Sequence, residues 1–296
     1  MGSKSRIADA LMDALPAGKR FVDLFGGGFA MSHKALLSGK YESVWYNDIE
    51  PLLVQLIKDA IAGKYSYENF TPEWISREEF FKRKDSDGYV KYIWSFGNGG
   101  KCYMFGRDIE EQKRKGHELV IHGVPFDGFE AVGDTFTERR LNLKKQARER
   151  RQRIDVEQLE RLQQLEQLER LEQLEQLERL QQLQITCMDY RDYEYQPGDV
   201  VYCDIPYESR EKYGAEFDHA AFYDWAATRD YPVYFSSFDD ITDSRFPCVW
   251  VKPKRSLLAQ GGRDTKLENE CLYVNDAGIN ENTEKGVIEW AVQISI

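Results

Sequence analysis

Residues 20–28 read RFVDLFGGG, a short apolar run followed directly by three glycines. The apolar run predicts a buried strand, and residues 29–37 after the glycines are typical of a helix. Glycines allow a tight turn and let the backbone approach a ligand closely, as in nucleotide-binding folds, although alone they also fit an ordinary loop. The stretch predicts a strand, a glycine turn and a helix, which opens an α/β fold.

A second strand is predicted at residues 43–48, SVWYND. Its terminal acid, Asp48, follows the glycines by about 20 residues, the spacing at which an acidic side chain meets ribose hydroxyls. Asp48 is therefore the candidate for holding the ribose of a cofactor.

Asp204, Ile205, Pro206 and Tyr207 follow the apolar run DVVYC of residues 199–203. Ligands of α/β folds bind at the carboxyl ends of strands. A carboxylate and a nearby carbonyl accept both hydrogens of an exocyclic amine, and a tyrosine ring stacks on a flat heterocycle. This tetrad predicts a pocket for the amino group of a nucleobase taken out of its stack.

Taken together, five segments resemble DNA N6-adenine methyltransferases of the Dam-like type, particularly the phage and prophage branch. They are GSKSR at 2–6, DLFGGG at 23–28, NDIEP at 47–51, DY at 189–190 and DIPY at 204–207. The resemblance covers residues 1–60 and 186–245 well and the middle of the chain loosely. Ile205 departs from the pattern, which has proline there, and this puts the rate in doubt more than the reaction.

The resemblance implies an α/β fold with a Rossmann-like, S-adenosylmethionine-dependent methyltransferase sheet. It implies methyl transfer from that cofactor to the N6 amine of adenine in double-stranded DNA, by base flipping and direct displacement. The tetrad would be catalytic and no metal is expected. The residues expected to bind the cofactor are Lys4, Asp23, Phe25, Gly26, Gly27, Gly28, Asp48, Ile49, Asp189 and Tyr190, with Lys4 near its carboxylate and the last two at its adenine ring.

Three regions are expected along the chain. Residues 1–60 and 185–296 form the catalytic domain, residues 61–153 a target-recognition region, and residues 154–184 a leucine-repeat helical insert. The net charge is −11, yet eight basic residues lie within residues 139–153 against one acid. That is a footprint for phosphates, although a charge run also fits a solvated helix face.

Residues 89–101 alternate aromatic and polar side chains before a glycine turn, which suits stacking on bases or, equally, packing of a small β-hairpin. From these two segments we expect DNA contacts from Lys91, Asn98, Lys101, Arg139, Arg140, Lys144, Lys145 and Arg148.

Leucine recurs at every third position from 159 to 183. An α-helix has 3.6 residues per turn, so this repeat spreads leucines around the cylinder, whereas a 3₁₀ helix aligns them but is usually short. Glu–Arg pairs four residues apart favour the α-helix. A helical rod is expected, with α and 3₁₀ geometry unresolved. It would be a spacer or an arm that docks on DNA or on another copy of the chain, or else a tolerated insertion.

The remaining features indicate an intracellular enzyme. The chain has no apolar run of transmembrane length, and residues 1–16 are too polar for a signal peptide, so we expect no membrane association and a cytoplasmic location. The resemblance implies a bacterial host cell and a phage or prophage gene. The resemblance places it in restriction-modification or anti-restriction. The five cysteines show no metal spacing. His219, beside Asp218 on a predicted helix, is expected to be a cap or a solvent contact.

Two alternatives stay open. Cytosine N4 is also an exocyclic amine, and the same type of tetrad can serve it. The chain can also be a non-catalytic DNA-binding or assembly protein that retains the cofactor fold. A third reading, Cys248 as the nucleophile of a cytosine-C5 methyltransferase, is disfavoured because residues 245–251 read as a strand.

Overall fold

The computed structural model describes residues 4, 7–66, 70–96, 99–150, 182–207, 217–239, 241–255 and 267–279. The strands are β1 Arg20–Asp23, β2 Ser43–Asn47, β3 Leu183–Thr186, β4 Asp199–Cys203, β5 Val233–Phe238, β6 Cys248–Arg255 and β7 Leu267–Val274. The helices are α1 Ala8–Ala14, α2 Ala30–Ser38, α3 Pro51–Ile61, α4 Arg77–Arg83, α5 Gly88–Ile93, α6 Glu110–His122, α7 Phe136–Glu149 and α8 His219–Ala227, with a 3₁₀ turn at Tyr190–Asp192.

The strands form one mixed sheet in the order β3-β2-β1-β4-β5-β7-β6. Strands β1 to β5 pair with one another in parallel, and β7 is antiparallel to both β5 and β6. The chain builds outward from β1 to β2 and β3 on one side, and to β4 and β5 on the other. The carboxyl ends of β1 and β4 therefore border the position where α/β sheets bind ligands. This confirms the predicted Rossmann-like α/β fold.

An ion pair aligns β1 with β4 at their first residues. Arg20 donates to both oxygens of Asp199, with Nε–Oδ1 at 2.8 Å and Nη2–Oδ2 at 2.6 Å. Such two-pronged pairs fix orientation as well as distance. The alignment places Asp23 beside Tyr202, one residue pair before the end of β4.

The core beside the site is built from central strands and α8. Every residue of β4 and of β5 is buried, as expected for central strands covered on both faces. Phe222 and Trp225 of α8 pack into the same cluster as Val201 and Phe235. The strands predicted before Gly26, at residues 43–48 and at residues 199–203 are confirmed, as are the helices predicted at residues 29–37 and around His219, with ends shifted by up to two residues.

The chain divides into two compact units, one of residues 2–54 and 178–296 that contains the sheet, and one of residues 55–177. In the second unit, side chains cap the starts of α4, α5 and α7. Ser76 accepts a hydrogen bond from the Glu79 amide at 3.2 Å at the start of α4, and Thr135 with Glu138 forms a capping box at the start of α7. Leu119 of α6 packs with Leu143 of α7 in its core.

Most of the predicted leucine rod lies outside the described residues, which resume at Gln182. At its end the structure differs from the helical prediction for 154–184. Leu183 and Gln184 lie in β3 and pair with Val44 and Trp45 of β2. Pairing with the edge of β2 gives these residues backbone partners, and this tertiary interaction overrides their helix propensity. Among the described helices, none has the length and apolar character needed to cross a membrane.

Candidate active site

The tetrad begins directly after β4. Asp204 has 29% of its side chain exposed, whereas Ile205 is buried in the core. The ring of Tyr207 lies edge-on to Phe238 of β5, with the ring centroids 4.5 Å apart. Ile205 anchors the loop by packing at the position where the family pattern named above has proline.

The first turn of α8 holds the same loop. Asp218 caps the helix by accepting a hydrogen bond from the Ala221 amide at 2.9 Å. Nε2 of His219 lies 2.6 Å from the carbonyl oxygen of Pro206, and a carbonyl can only accept, so Nε2 donates. The cap is therefore Asp218, and His219 contacts the tetrad.

Lys4 joins the tetrad from the amino-terminal part of the chain. Its ammonium donates to the Tyr207 hydroxyl and to Oε1 of Glu270, and it lies 3.3 Å from Oδ1 of Asp204. The Tyr207 hydroxyl also donates to Oε1 of Glu270. The side chains of Lys4 and Glu270 are 5% and 0% exposed. They form a buried ion pair, which is stable only when such additional hydrogen bonds accompany it.

This cluster has two carboxylates and one ammonium, and its charges act on each other. Burial raises the pKa of Asp204, Lys4 lowers it in part, and the charge of Glu270 raises it again. Burial, together with the charges of Asp204 and Glu270, raises the pKa of the Tyr207 hydroxyl far above its usual value. Tyr207 therefore stays protonated and acts as a hydrogen-bond donor and a ring surface.

Asp204 is oriented through one of its two oxygens. Ser236 donates to Oδ1 at 3.3 Å, and the Ser236 oxygen lies 2.7 Å from the Tyr202 hydroxyl. Oδ1 thus faces both Ser236 and Lys4. Oδ2 makes no hydrogen bond to any residue in the described part of the chain. The carboxylate therefore offers one oxygen as an acceptor for a bound donor.

Tyr46 of β2 shapes the glycine turn after β1. Its hydroxyl donates to the carbonyl of Gly27 at 2.9 Å, and a Cβ on Gly26 would lie 2.2 Å from its ring. Gly27 has a φ of 49°, which side chains disfavour. Gly28 completes the turn before α2. The structure therefore requires glycine at the first two positions for different reasons.

Asp48 lies against the same turn. Its Oδ2 accepts from the Gly27 amide at 3.0 Å and its Oδ1 from the Glu50 amide at 2.9 Å. Burial raises the pKa of Asp48, and these backbone hydrogen bonds oppose that rise. Each oxygen retains a lone pair for a further donor. Ile49, the next residue, is exposed.

Asp23 ends β1 with only 1% of its surface exposed. Ser32 donates to Oδ2 at 2.7 Å, while Oδ1 has no hydrogen-bond partner in the described part of the chain. Burial raises the pKa of Asp23 to about 7, Ser32 opposes this, and the charges of Asp204 and Asp48 add to it. A buried acceptor without a partner is costly, so this oxygen marks a place where a ligand's polar group fits.

The other predicted cofactor residues lie at the same edge of the sheet. The rings of Phe25 and Tyr190 are 5.2 Å apart, and Tyr190 packs edge-on against Trp225 of α8 at 5.0 Å. Asp189 pairs with Arg191, with Oδ2 and Nη2 2.5 Å apart. The rings of Phe25, Tyr190 and Trp225 thus form an aromatic cluster beside the glycine turn.

The predicted DNA contacts at residues 91–101 lie in the unit of residues 55–177. Asn98 falls outside the described residues. Lys91 is half-buried at the end of α5, and Lys101 is exposed. The Phe96 amide donates to the Cys102 carbonyl at 2.8 Å, and Ser95 pairs with Tyr103 in an antiparallel bridge. Trp94 packs into the interior of this unit, whereas Phe96 is exposed.

The remaining predicted DNA contacts lie on α7 and differ in environment. Arg139 donates to the carbonyls of Val120 and Ile121 at the end of α6, at 2.6 and 3.1 Å, and therefore has a structural role. Arg140 is buried. The residues that face solvent fully or in part are Lys144, Lys145 and Arg148. Contact of any of these residues with DNA stays a prediction.

Glu270 and Ser236 were missed as site candidates in the sequence. The signal for Glu270 is its place beside the apolar run of residues 271–274, because an acid inside a buried strand needs a partner. Ser236 stands inside the apolar strand at residues 233–238 and gives a similar, weaker signal.

A family model described as D12 class N6 adenine-specific DNA methyltransferase matches residues 1–224. No individual curated protein matches the chain. The match includes the glycine turn, Asp48 and the whole tetrad, and it spans well over half of the 296 residues. The chain therefore belongs to the D12 class N6 adenine-specific DNA methyltransferase family and is an adenine-specific DNA methyltransferase.

Proposed function

We propose that the enzyme transfers a methyl group from S-adenosylmethionine to the N6 amine of adenine in double-stranded DNA, after rotating the base out of the helix. The observation that supports this most directly is the environment of Asp204. Its Oδ1 is fixed by Ser236 and Lys4, and its Oδ2 is available at the carboxyl end of β4.

The residues around the glycine turn fit S-adenosylmethionine as the cofactor. Oδ1 of Asp23, which has no hydrogen-bond partner among the described residues, suits an amino donor, and Asp48 retains lone pairs for ribose hydroxyls. Phe25 and Tyr190 offer ring surfaces for an adenine. When bound, the cofactor supplies an electrophilic methyl group on a sulfonium.

The tetrad has to make a weak nucleophile react. The lone pair of the adenine amine is delocalised into the ring. If Asp204 and the Ile205 carbonyl accept its two hydrogens, the nitrogen becomes more tetrahedral and its lone pair points toward the methyl group. Positioning and electrostatics then supply most of the rate, without a covalent intermediate.

Tyr207 would hold the extruded base. Unpairing and unstacking a base cost a few kcal/mol, which contacts in the pocket must offset. The Tyr207 ring is fixed at one edge by Phe238 and at its hydroxyl by Lys4 and Glu270. A ring held in this way loses little conformational entropy when a base stacks on it.

On the DNA side, the solvent-facing Lys145 and Arg148 of α7 are proposed to contact phosphates. Each such contact contributes to affinity without regard to sequence and weakens as salt increases. The basic stretch on α7 thereby offsets the unfavourable net charge of −11.

Transfer of labelled methyl from S-adenosylmethionine to unmodified double-stranded DNA, followed by nucleoside analysis, tests the proposal. We expect the label in N6-methyladenine. Label in N4-methylcytosine would overturn the base assignment, and absence of label from an enzyme that still binds the cofactor would overturn duplex DNA as the substrate.

A further inference from the structure

Glu270 lies outside the residues that the family model matches, yet it contacts two members of the site. It is on β7, opposite Phe238 of β5, and its side chain is fully buried. A buried carboxylate is strongly disfavoured unless it is paired and hydrogen-bonded. Because a buried glutamate beside Lys4 and Tyr207 is costly, we infer that Glu270 does more than fill the core.

We propose that Glu270 is a positioning residue for methyl transfer, which keeps the Lys4 ammonium from pairing fully with Asp204 and fixes the hydroxyl of Tyr207. This inference rests on the proposed roles of Asp204 and Tyr207. Glu270 itself touches neither reacting group.

The first part of the role concerns the Lys4 ammonium. It hydrogen-bonds Glu270, while Asp204 is within ion-pair distance at 3.3 Å. Without a charge on Glu270, Coulomb attraction would draw the ammonium to Asp204. A closely paired Asp204 is a poorer acceptor for the adenine amine, because the ammonium competes for the same carboxylate.

The second part concerns Tyr207. Its hydroxyl donates to Oε1 of Glu270, and Phe238 restrains its ring. Glu270 and Phe238 are directly paired across β7 and β5. One cross-strand pair, Glu270 and Phe238, therefore makes both contacts to Tyr207. Together these contacts fix the plane of the ring on which a base would stack.

The experiment compares Glu270→Gln, which keeps the shape and removes the charge, with Glu270→Asp, which keeps the charge, and Glu194→Gln, an exposed control. Methyl transfer to DNA is measured with saturating DNA and cofactor, together with the Kd for S-adenosylmethionine. We expect Glu270→Gln to lower kcat by about 10- to 100-fold while Kd changes by less than about threefold. Glu270→Asp should recover part of the rate.

The pH dependence distinguishes positioning from folding. The charge of Glu270 raises the pKa of Asp204, so Glu270→Gln should move the acidic limb of kcat to lower pH. The titratable groups that face Asp204 are Lys4, Asp23, Tyr202, Cys203, Tyr207 and Glu270, and β5 contributes the neutral Ser236. Burial raises the pKa values of Tyr202 and Cys203 well above their usual values, and it raises the pKa of Asp23 to about 7.

A wild-type enzyme without methyl transfer would refute the proposed function. A wild type that is active and a Glu270→Gln variant with unchanged kcat, or with reduced kcat but an unmoved acidic limb, would refute the positioning role. If Glu270→Gln does not fold, Glu270→Asp takes its place: its shorter side chain keeps the charge but withdraws it from the Tyr207 hydroxyl and the Lys4 ammonium, so a kcat equal to that of the wild type would refute the positioning role.

Discussion

Two parts of the carboxyl edge of the sheet differ in how their buried acids are stabilised: the first edge, at β1 and β2, and the second edge, at β4 and β5. At the ends of β1 and β2, Asp23 and Asp48 are held by a serine hydroxyl and by backbone amides. At the ends of β4 and β5, Asp204 shares a buried lysine with Glu270. Among the described residues, the hydrogen-bond donors to the acids of the first edge are neutral, whereas the donor shared at the second edge is the Lys4 ammonium.

The difference follows from what each edge would bind. An uncompensated acid with a free oxygen, such as Asp23, can gain a cationic or amino donor from a ligand. An acid that must accept a neutral amine works only if it is already ionised, and the Lys4 charge favours that form of Asp204. The first edge is thus suited to bind a cofactor that donates to its acids, and the second edge is suited to act on a substrate.

Of the substitutions that test this difference between the two edges, Asp204→Ala should have the largest effect on activity. Without the carboxylate, one of the two amine hydrogens loses its proposed acceptor, and Lys4 keeps Glu270 as its partner. We expect kcat to fall about 10³-fold or more, with cofactor binding nearly unchanged because the first edge is intact. Labelled methyl transfer and calorimetric titration with S-adenosylmethionine measure both quantities. Asp230→Ala, at an exposed position, serves as the control, and normal turnover in Asp204→Ala would remove Asp204 from the mechanism.

A Lys4→Met variant removes the permanent charge from the second edge. It leaves Glu270 buried without its cation, so we expect a loss of about 3 kcal/mol in the free energy of unfolding. Lys4 lowers the pKa of Asp204, so its removal should raise that pKa and shift the acidic limb of kcat to higher pH, opposite to Glu270→Gln. Denaturant unfolding and a kcat–pH profile test this, with the exposed Lys58→Met as control. A limb that moves in the same direction in both variants would contradict the charge argument.

The two edges also differ in how many of their site residues could be predicted from the sequence. The first edge is encoded locally: three glycines and an acid about 20 residues later define it, and the structure places Asp48 on the Gly27 amide. The tetrad was equally readable because its residues are contiguous. The strands and the α/β class followed from apolar runs of the right length.

The second edge was only half predictable, for a physical reason. Lys4, Asp204 and Glu270 are separated by about 200 and 66 positions, and only the insertion of β7 between β5 and β6 brings Glu270 to the site. Strand order at the end of a sheet is a tertiary property with no local signature. His219 was likewise expected to be a helix cap or a solvent contact, because its contact with Pro206 depends on how α8 meets the tetrad loop.

The smallest expected effect concerns Asp23 and the pH dependence of the free energy of unfolding. Burial raises the pKa of Asp23 from 3.8 to about 7 in the folded chain. Between these two values the unfolded chain has released a proton that the folded chain keeps, so stability falls as pH rises, and it levels off above about pH 7.

Asparagine at position 23 cannot ionise, so Asp23→Asn should lack this loss. The free energy of unfolding of Asp23→Asn minus that of the wild type should increase by about 3 kcal/mol from pH 5 to pH 8. Urea unfolding of both proteins without cofactor measures the difference, and the exposed Asp230→Asn should show none. A difference that stays constant with pH would mean that Asp23 is already ionised at pH 5. The first edge would then have its own compensating charge, and the contrast with the lysine-paired edge would disappear.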